Sequence, residues 1–247
     1  MREVTKLEKY LNNLSMVPAT GLYRSKVIFA LVSKALTVGR AVCALVDAGF
    51  PAEAFGLSRT VIEIYFLVRY IGNRDTEKRA ARYAKFAARV QKEWLNVVRK
   101  HYPTTPLSQA SLDKEILEIA NEFQSKSHWT EQGGQAKLMA EEEDTVELDA
   151  QGKPYKSDFA YDALYFYTSH FVHVSVVALD AHATVPGDIF KVRTRPVVET
   201  KYAKLSLFNV ATFLSKIFVC ALRAVNEEQP PELIDLFKLT NKFDSKP

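Results

Sequence analysis

The chain has 247 residues, 47% of them apolar and 25% charged, with 33 Lys and Arg against 29 Asp and Glu. This length is enough for a substantial core, and the apolar content excludes a wholly disordered chain. Nine Gly and ten Pro are too few for a collagen-like or linker-rich sequence. Composition therefore indicates a soluble folded protein and no particular function.

Cysteine usage and the N-terminal residues indicate a reducing compartment. Cys43 and Cys220 lie far apart in apolar helical patterns without any Cys-x-x-Cys, which favours buried free thiols over a disulfide or zinc site. The first thirteen residues are amphipathic and mixed in charge, unlike a secretory signal. We therefore expect a cytoplasmic protein.

The most apolar stretch, Leu205–Leu222, contains Asn209 and Lys216. A buried helix fits this composition better than a membrane span. We therefore predict no membrane partner.

Helical periodicity dominates the chain, and the alternating pattern of strands is nearly absent. It predicts these helices in chain order: Val4–Leu14, Tyr23–Ala48, Pro51–Ile71, Asp75–Tyr102, one from Ser108 or Ser111 to Gln124, a short one at Gln135–Glu143, Ser157–Ala183, Val197–Val225 and a short one from Pro230. We expect Gly72-Asn73 to stop the third helix and Asp75 to cap the fourth.

The remaining segments are predicted to be irregular. Ser125–Pro154 is the least periodic part, residues 185–188 (VPGD) predict a turn, and residues 191–196 (KVRTRP) predict a loop. We therefore predict an all-α fold, a helical bundle of four to five long helices with a short irregular middle segment. Residues 1–247 are expected to form one domain, with C-terminal helices at 197–240.

The helix predicted at Pro51–Ile71 carries two charges where a bundle should be apolar. Arg59 and Glu63 share one face with three aromatic residues, and aliphatic residues cover the rest of the helix. No wide polar face exists to keep these charges in water. Both are therefore expected to be half-buried or buried and to need polar partners.

The helix predicted at Ser157–Ala183 carries a narrow polar stripe between apolar borders. Its members are Asp162, Tyr165, Ser169, His173 and Asp180. We expect this stripe to face Arg59 and Glu63, so that the Glu63 carboxylate orients His173 and a hydroxyl of Tyr165 or Ser169 completes the network.

Such a network supports three interpretations, which the sequence leaves open. It can perform acid–base chemistry with Glu63 and His173, bind an anion through Arg59, or be a satisfied polar cluster that only sets helix register. His170 and His173 are three residues apart, but this spacing alone is a poor metal signal. We predict neither a metal nor a cofactor.

Charge is unevenly distributed. Residues 74–100 hold nine basic and three acidic residues, a net charge of +6, whereas residues 113–149 hold eleven acidic residues and three Lys, a net charge of −8. Two interpretations stay open: the segments face each other across the fold, or, as the pattern favours, a solvated basic helix lies beside an acidic loop.

Aromatic side chains interleave the basic helix, which makes Arg82, Lys85 and Arg89 candidate nucleic-acid contacts. The spacing favours a second interpretation, in which these apolar residues are a buried stripe: Tyr83, Phe86, Val90, Trp94, Val97 and Val98.

Several of these residues occur in an order that resembles a known family. The order is Leu57–Glu63 (LSRTVIE), Ser127–Trp129 (SHW), Lys137–Ala140 (KLMA), then Tyr161, Tyr165, Ser169 and Val172–His173. It is similar to family 5677 of the domains of unknown function, a set of helical bacterial proteins, over about Ser25–Ala183. The resemblance implies an all-helical fold and no established reaction. The site residues that it carries over are Arg59, Glu63, Trp129, Tyr165, Ser169 and His173.

Three functions are compatible with these residues. The preferred one is binding of a small or anionic ligand at Arg59, with Tyr165, Ser169 and Trp129 as further contacts. The second is an RNA-directed phosphodiesterase that uses His173, and the third is an interaction protein without catalysis. A role in stress or phage-conflict responses rests on fold-level analogy, and no Arg precedes a His at the spacing of the ribonucleases in those systems. Oligomeric state, and whether Ser125–Pro154 forms a lid, stay open.

Overall fold

Four long helices and two short ones make up most of the described chain. The structure, a computed structural model, describes residues 23–106, 113–125, 128–130, 147–148, 154–155, 164–173, 183–184, 191–192 and 200–225. Its helices are α1 (Tyr23–Asp47), α2 (Pro51–Asn73), α3 (Thr76–His101), α4 (Lys114–Asn121), α5 (Phe166–Val172) and α6 (Thr200–Val225). The prediction of an all-α fold is confirmed.

The described strands are two-residue pairs. β1 (Glu147–Leu148) pairs antiparallel with β2 (Pro154–Tyr155), and β3 (Ala183–Thr184) pairs antiparallel with β4 (Lys191–Val192). Residues 191–192, which the sequence predicts to be loop, therefore form a short strand instead.

Helix α2 lies at the centre of the core because it is apolar on nearly every side. It packs most extensively on α6 and α1, and also contacts α5 and α3. Several of its side chains are at most 1% exposed, namely Phe55, Val61, Ile62, Val68 and Ile71, whereas Glu63 keeps 30% of its side chain exposed. The prediction that this helix is buried is confirmed.

Helices α1 and α6 are long and apolar enough to cross a membrane, by length and composition alone. The core helices of a soluble protein pass the same test, and 56% and 67% of the most apolar windows of α1 and α6 are buried inside the structure. The two helices pack on each other and on α2.

Helix α2 ends at Asn73, so the prediction that Gly72-Asn73 stops it is confirmed. A Cβ at position 72 would lie 2.9 Å from the Cβ of Ala224 on α6. Gly72 therefore also lets the backbones of α2 and α6 approach closely. The residue that follows the helix, Arg74, has an extended conformation.

Asp75 precedes α3 as predicted, but its side chain makes no capping hydrogen bond. It adopts a left-handed conformation, with φ at 47°, which Asp tolerates better than most residues. A carboxylate that does cap a helix is Glu77, which accepts the backbone N–H groups of Tyr23 and Arg24 at 2.8 and 3.0 Å. The first turn of α3 thereby holds the start of α1.

The predicted helix Ser157–Ala183 is wrong at two of the described positions, His173 and Ala183. Helix α5 ends at Val172, His173 has left the helical conformation, and Ala183 lies in a strand. The sequence VHVSVV at 172–177 is dense in β-branched residues, which lose side-chain freedom in a helix. The periodicity of apolar residues does not indicate that the helix ends at Val172.

Some predicted features lie outside the described residues. They are the helices at Val4–Leu14, Gln135–Glu143 and from Pro230, the helix starts at Ser108 and Ser111, the turn at 185–188, most of Ser125–Pro154, and the stripe members Asp162 and Asp180.

Both cysteines are free thiols, as predicted. Cys43 is buried in α1, and burial raises the pKa of its thiol. Cys220, on α6, is only partly buried.

We predict that Gly72→Ala destabilises the protein by about 1–2 kcal/mol, because overpacking against Ala224 outweighs the better helix propensity of alanine. Chemical denaturation measures this loss. Gly39→Ala is the matched control, since the nearest atoms there are flexible side-chain ends of Leu214 and Val210, at 3.1 and 3.2 Å. Adding Ala224→Gly to Gly72→Ala should restore stability, and failure of this rescue would refute the packing explanation.

Candidate functional site

Arg59, on α2, is held by two hydroxyl groups of the segment that enters and forms α5. Its Nε donates to the Ser169 Oγ at 2.9 Å, and its Nη2 donates to the Tyr165 hydroxyl. The guanidinium carbon also lies 4.5 Å from the centre of the Tyr165 ring. The prediction that Tyr165 and Ser169 face Arg59 is confirmed.

The Ser169 hydroxyl both donates and accepts a hydrogen bond. It donates to the backbone oxygen of Tyr165 at 2.7 Å and accepts from Arg59. The hydroxyl proton of Ser169 therefore points to the backbone of Tyr165, just before α5. This arrangement suits a residue that positions Arg59 better than a nucleophile. Tyr165, at 7% exposure, lies in a wider π-type turn just before α5 and packs its ring 6.3 Å from Phe66.

Arg59 and Glu63 are half-buried, as predicted. Their side chains are 19% and 30% exposed, and the Glu63 Oε2 lies 3.8 Å from the Arg59 Nη1. This distance is an ion pair without a hydrogen bond. Nη1 makes no hydrogen bond to any described residue, so this edge of the guanidinium keeps donors available.

His173 is not brought to Glu63. It is exposed at the end of α5, and within the described part of the chain its ring makes no hydrogen bond or ion pair. Only its backbone is engaged, through an N–H that donates to the Ser169 oxygen at 3.0 Å. The prediction that Glu63 orients His173 is wrong, because α5 ends before the stripe reaches that position.

Trp129 packs in a different part of the fold from Arg59 and does not contact it directly. Its buried ring packs between Tyr70 and Tyr83, with ring centres 5.4 and 5.1 Å away. Tyr70 follows Arg59 by eleven residues of α2, about 16 Å along the helix axis. The position of Trp129 is that of a core anchor rather than a direct contact of Arg59.

Tyr83, on α3, is assigned by the sequence analysis to the core stripe alone, but its electrostatic environment includes Glu63 of the candidate site. Burial raises the pKa of its phenol, and the negative charge of Glu63 raises that pKa further. Tyr83 thus packs on Trp129 and also lies within the electrostatic influence of Glu63. Its spacing on α3 is that of a core residue, so periodicity carried no signal for this second role.

The three candidate nucleic-acid contacts on α3 are engaged within the fold. Arg82 donates from Nε to the Trp129 oxygen at 2.6 Å, Lys85 lies 3.6 Å from a carboxylate oxygen of Glu122, and Arg89 pairs with Glu93 at 3.1 Å. The pair of Lys85 with Glu122 confirms that part of the acidic segment faces the basic helix. Binding of a phosphate backbone by these residues would compete with those contacts.

Val90, Trp94 and Val97 are not buried as the core spacing predicts. They are 51%, 52% and 56% exposed, whereas Tyr83 and Phe86 on the same stripe pack against the core. The stripe is therefore covered only along the first half of α3.

No group of three or more His, Cys, Asp or Glu is placed to hold a metal ion among the residues that the structure describes. The polar groups gathered around Arg59 can accept an anion or donate and accept hydrogen bonds.

The sequence profile of a family described as a family of unknown function (DUF5677) matches residues 25–189, which is more than half of the chain. No curated protein and no solved structure matches the chain significantly. The matched range includes α1 to α5 and ends before α6.

We predict that Glu63→Gln lowers the pKa of Tyr83, because it removes the nearby negative charge but not the burial of the phenol. Ultraviolet titration of tyrosinate, with Tyr83→Phe to assign the signal, measures the change. Because the folded-state pKa of Tyr83 lies above 10.0, the unfolded chain releases this proton first, and stability should fall as pH rises above about 10. This fall should be smaller in Tyr83→Phe, and a titration of Tyr83 that Glu63→Gln leaves unmoved would contradict the assigned proximity.

Proposed function

The chain belongs to the DUF5677 family, whose function is unknown, and we propose that it binds a small anionic ligand at Arg59. The observation that carries the proposal is the guanidinium itself. Two hydroxyl groups fix its Nε and Nη2, while Nη1 is left without a hydrogen bond to any described residue. A cation that is oriented in advance binds an anion with less loss of side-chain entropy.

Partial burial strengthens this argument. The Arg59 side chain is 19% exposed and is flanked by the buried ring of Tyr165. An ion contact in such surroundings is screened less by water than one on an open surface. Arg59 therefore offers a stronger anion contact than the exposed cations of α3 and α6.

Glu63 narrows the class of ligand. Its carboxylate lies 3.8 Å from Nη1 and would repel a ligand that carries only negative charge. A ligand with an anionic group for Arg59 and a hydroxyl or ammonium donor near Glu63 avoids this repulsion. The proposed ligand is therefore small, anionic at one end and a hydrogen-bond donor at the other.

Calorimetric titration with inorganic phosphate, methyl phosphate and phosphoethanolamine tests this proposal. Phosphoethanolamine carries both groups and should bind most tightly. Arg59→Lys should weaken it about tenfold or more, because lysine cannot reproduce the planar fork of arginine. Glu63→Gln should reduce the preference for phosphoethanolamine over methyl phosphate.

Arg223→Lys, at an exposed position of α6, is the matched control and should leave binding unchanged. Ser169→Ala keeps the charge of Arg59 but removes the acceptor of its Nε, and should give an intermediate loss. Absence of binding by all three compounds, or equal losses in the Arg59 and Arg223 variants, would count against the proposal.

A phosphodiesterase acting on RNA is the second candidate, and the exposure of His173 one turn after Ser169 favours it. An exposed imidazole at that position is available to a substrate whose phosphate contacts Arg59. The engaged state of Arg82, Lys85 and Arg89 argues against an extended nucleic-acid surface on α3.

We predict that any cleavage of labelled single-stranded RNA at low salt is lost in His173→Ala and retained in His170→Ala. The His170 ring packs on Phe166, with centres 4.8 Å apart, and serves as the matched control. Cleavage that survives in His173→Ala, or no cleavage by the unaltered protein, would eliminate this candidate.

A further inference from the structure

The second half of α3 presents an apolar stripe to solvent. Val90, Trp94 and Val97 are each more than half exposed, and they lie on the face opposite Leu95, which is 3% exposed. Contiguous apolar surface of this kind on a folded protein marks an interaction site more often than isolated exposed residues do.

The stripe has the spacing of a coiled-coil seam. Ala87, Val90, Trp94, Val97 and His101 follow one another at alternating intervals of three and four residues. In heptad notation, Val90 and Val97 occupy d positions, and Trp94 and His101 occupy a positions. A helix with this repeat can pack along another helix with the same repeat.

We propose that a second copy of this chain covers the stripe, with the two α3 helices antiparallel about a two-fold axis. In this register Trp94 packs against Val97 of the second copy and Val90 packs against its His101. Each layer occurs twice by symmetry, so the patch is complementary to itself.

Charge complementarity selects this arrangement. Glu93 and Lys100 occupy g positions beside the seam, and g positions face each other in an antiparallel pair. Glu93 of each copy then lies beside Lys100 of the other, which gives two equivalent ion pairs. Glu93 also pairs with Arg89 of its own chain at 3.1 Å, so it lies between two cations.

A parallel pair of α3 helices would not bring Glu93 and Lys100 together. Its g positions face e positions of the second helix, which places Glu93 opposite Val98. Neither Glu93 nor Lys100 would then meet an opposite charge across the seam. The antiparallel register is the one that matches both the apolar and the charged positions.

The contact is small. Residues 90–101 span about 18 Å of helix, which is at the low end of specific interfaces. We therefore expect a reversible dimer with a dissociation constant of about 1–100 μM rather than an obligate one. The dimer does not depend on the ligand proposed for Arg59.

Sedimentation velocity of the full chain between 1 and 200 μM tests the proposal, with dimer expected at the upper end. Lys100→Glu and Glu93→Lys each place like charges together and should each weaken self-association by about tenfold. An equimolar mixture of these two variants should form a heterodimer about as tight as the unaltered homodimer, because Glu93 of one variant then faces Lys100 of the other and the two substituted residues form the second ion pair with reversed sign.

Lys204→Glu, an exposed change of the same kind on α6, should not alter association. Trp94 emission should shift to shorter wavelength as dimer forms, over the constant signal of buried Trp129. A protein that is monomeric at 200 μM overturns the proposal, and an already shielded Trp94 in that monomer would indicate that the chain covers the stripe itself. Dimers that both charge variants leave intact also overturn it.

Discussion

Burial of most of α2 is the constraint on which the rest of the structure depends. A polar group on a buried face of this helix needs a partner within the fold. On one face α6 supplies Asn209, whose amide donates to the buried hydroxyl of Ser58 at 3.0 Å. On another, α5 supplies the hydroxyl groups that hold Arg59. The candidate site is therefore a consequence of placing a charged pair in the central helix.

This dependence explains which parts of the site the sequence could predict. Arg59 and Glu63 were identifiable because no polar face of α2 could accommodate them, and Tyr165 and Ser169 because they share a helical face. His173 was misassigned because a helical wheel does not show where a helix ends, and α5 ends at Val172. Tyr83 was assigned only to the core because its link to Glu63 is made across two helices that are separate in sequence.

The bundle itself was largely predictable, and the exceptions have physical causes. The limits of α1 and α2 agree with the predictions to within one or two residues. Gly72-Asn73 marks the end of α2 as predicted, but the contact of Gly72 with Ala224 is not predictable from the sequence, because it joins two helices that are distant along the chain. The stripe on α3 shows a similar ambiguity, since periodicity identifies an apolar face but not which chain covers it.

Helix α6 belongs to the core of the structure but lies outside the range that the family profile matches. Recognisable family similarity ends at residue 189, yet α6, which begins at Thr200, is the most extensive partner of α2. The region matched by the family profile and the packed core of the described residues therefore have different boundaries in this chain. A fragment of this chain cut at residue 189 would leave the face of α2 that contacts α6 without that cover, so the family match does not mark the limit of the core.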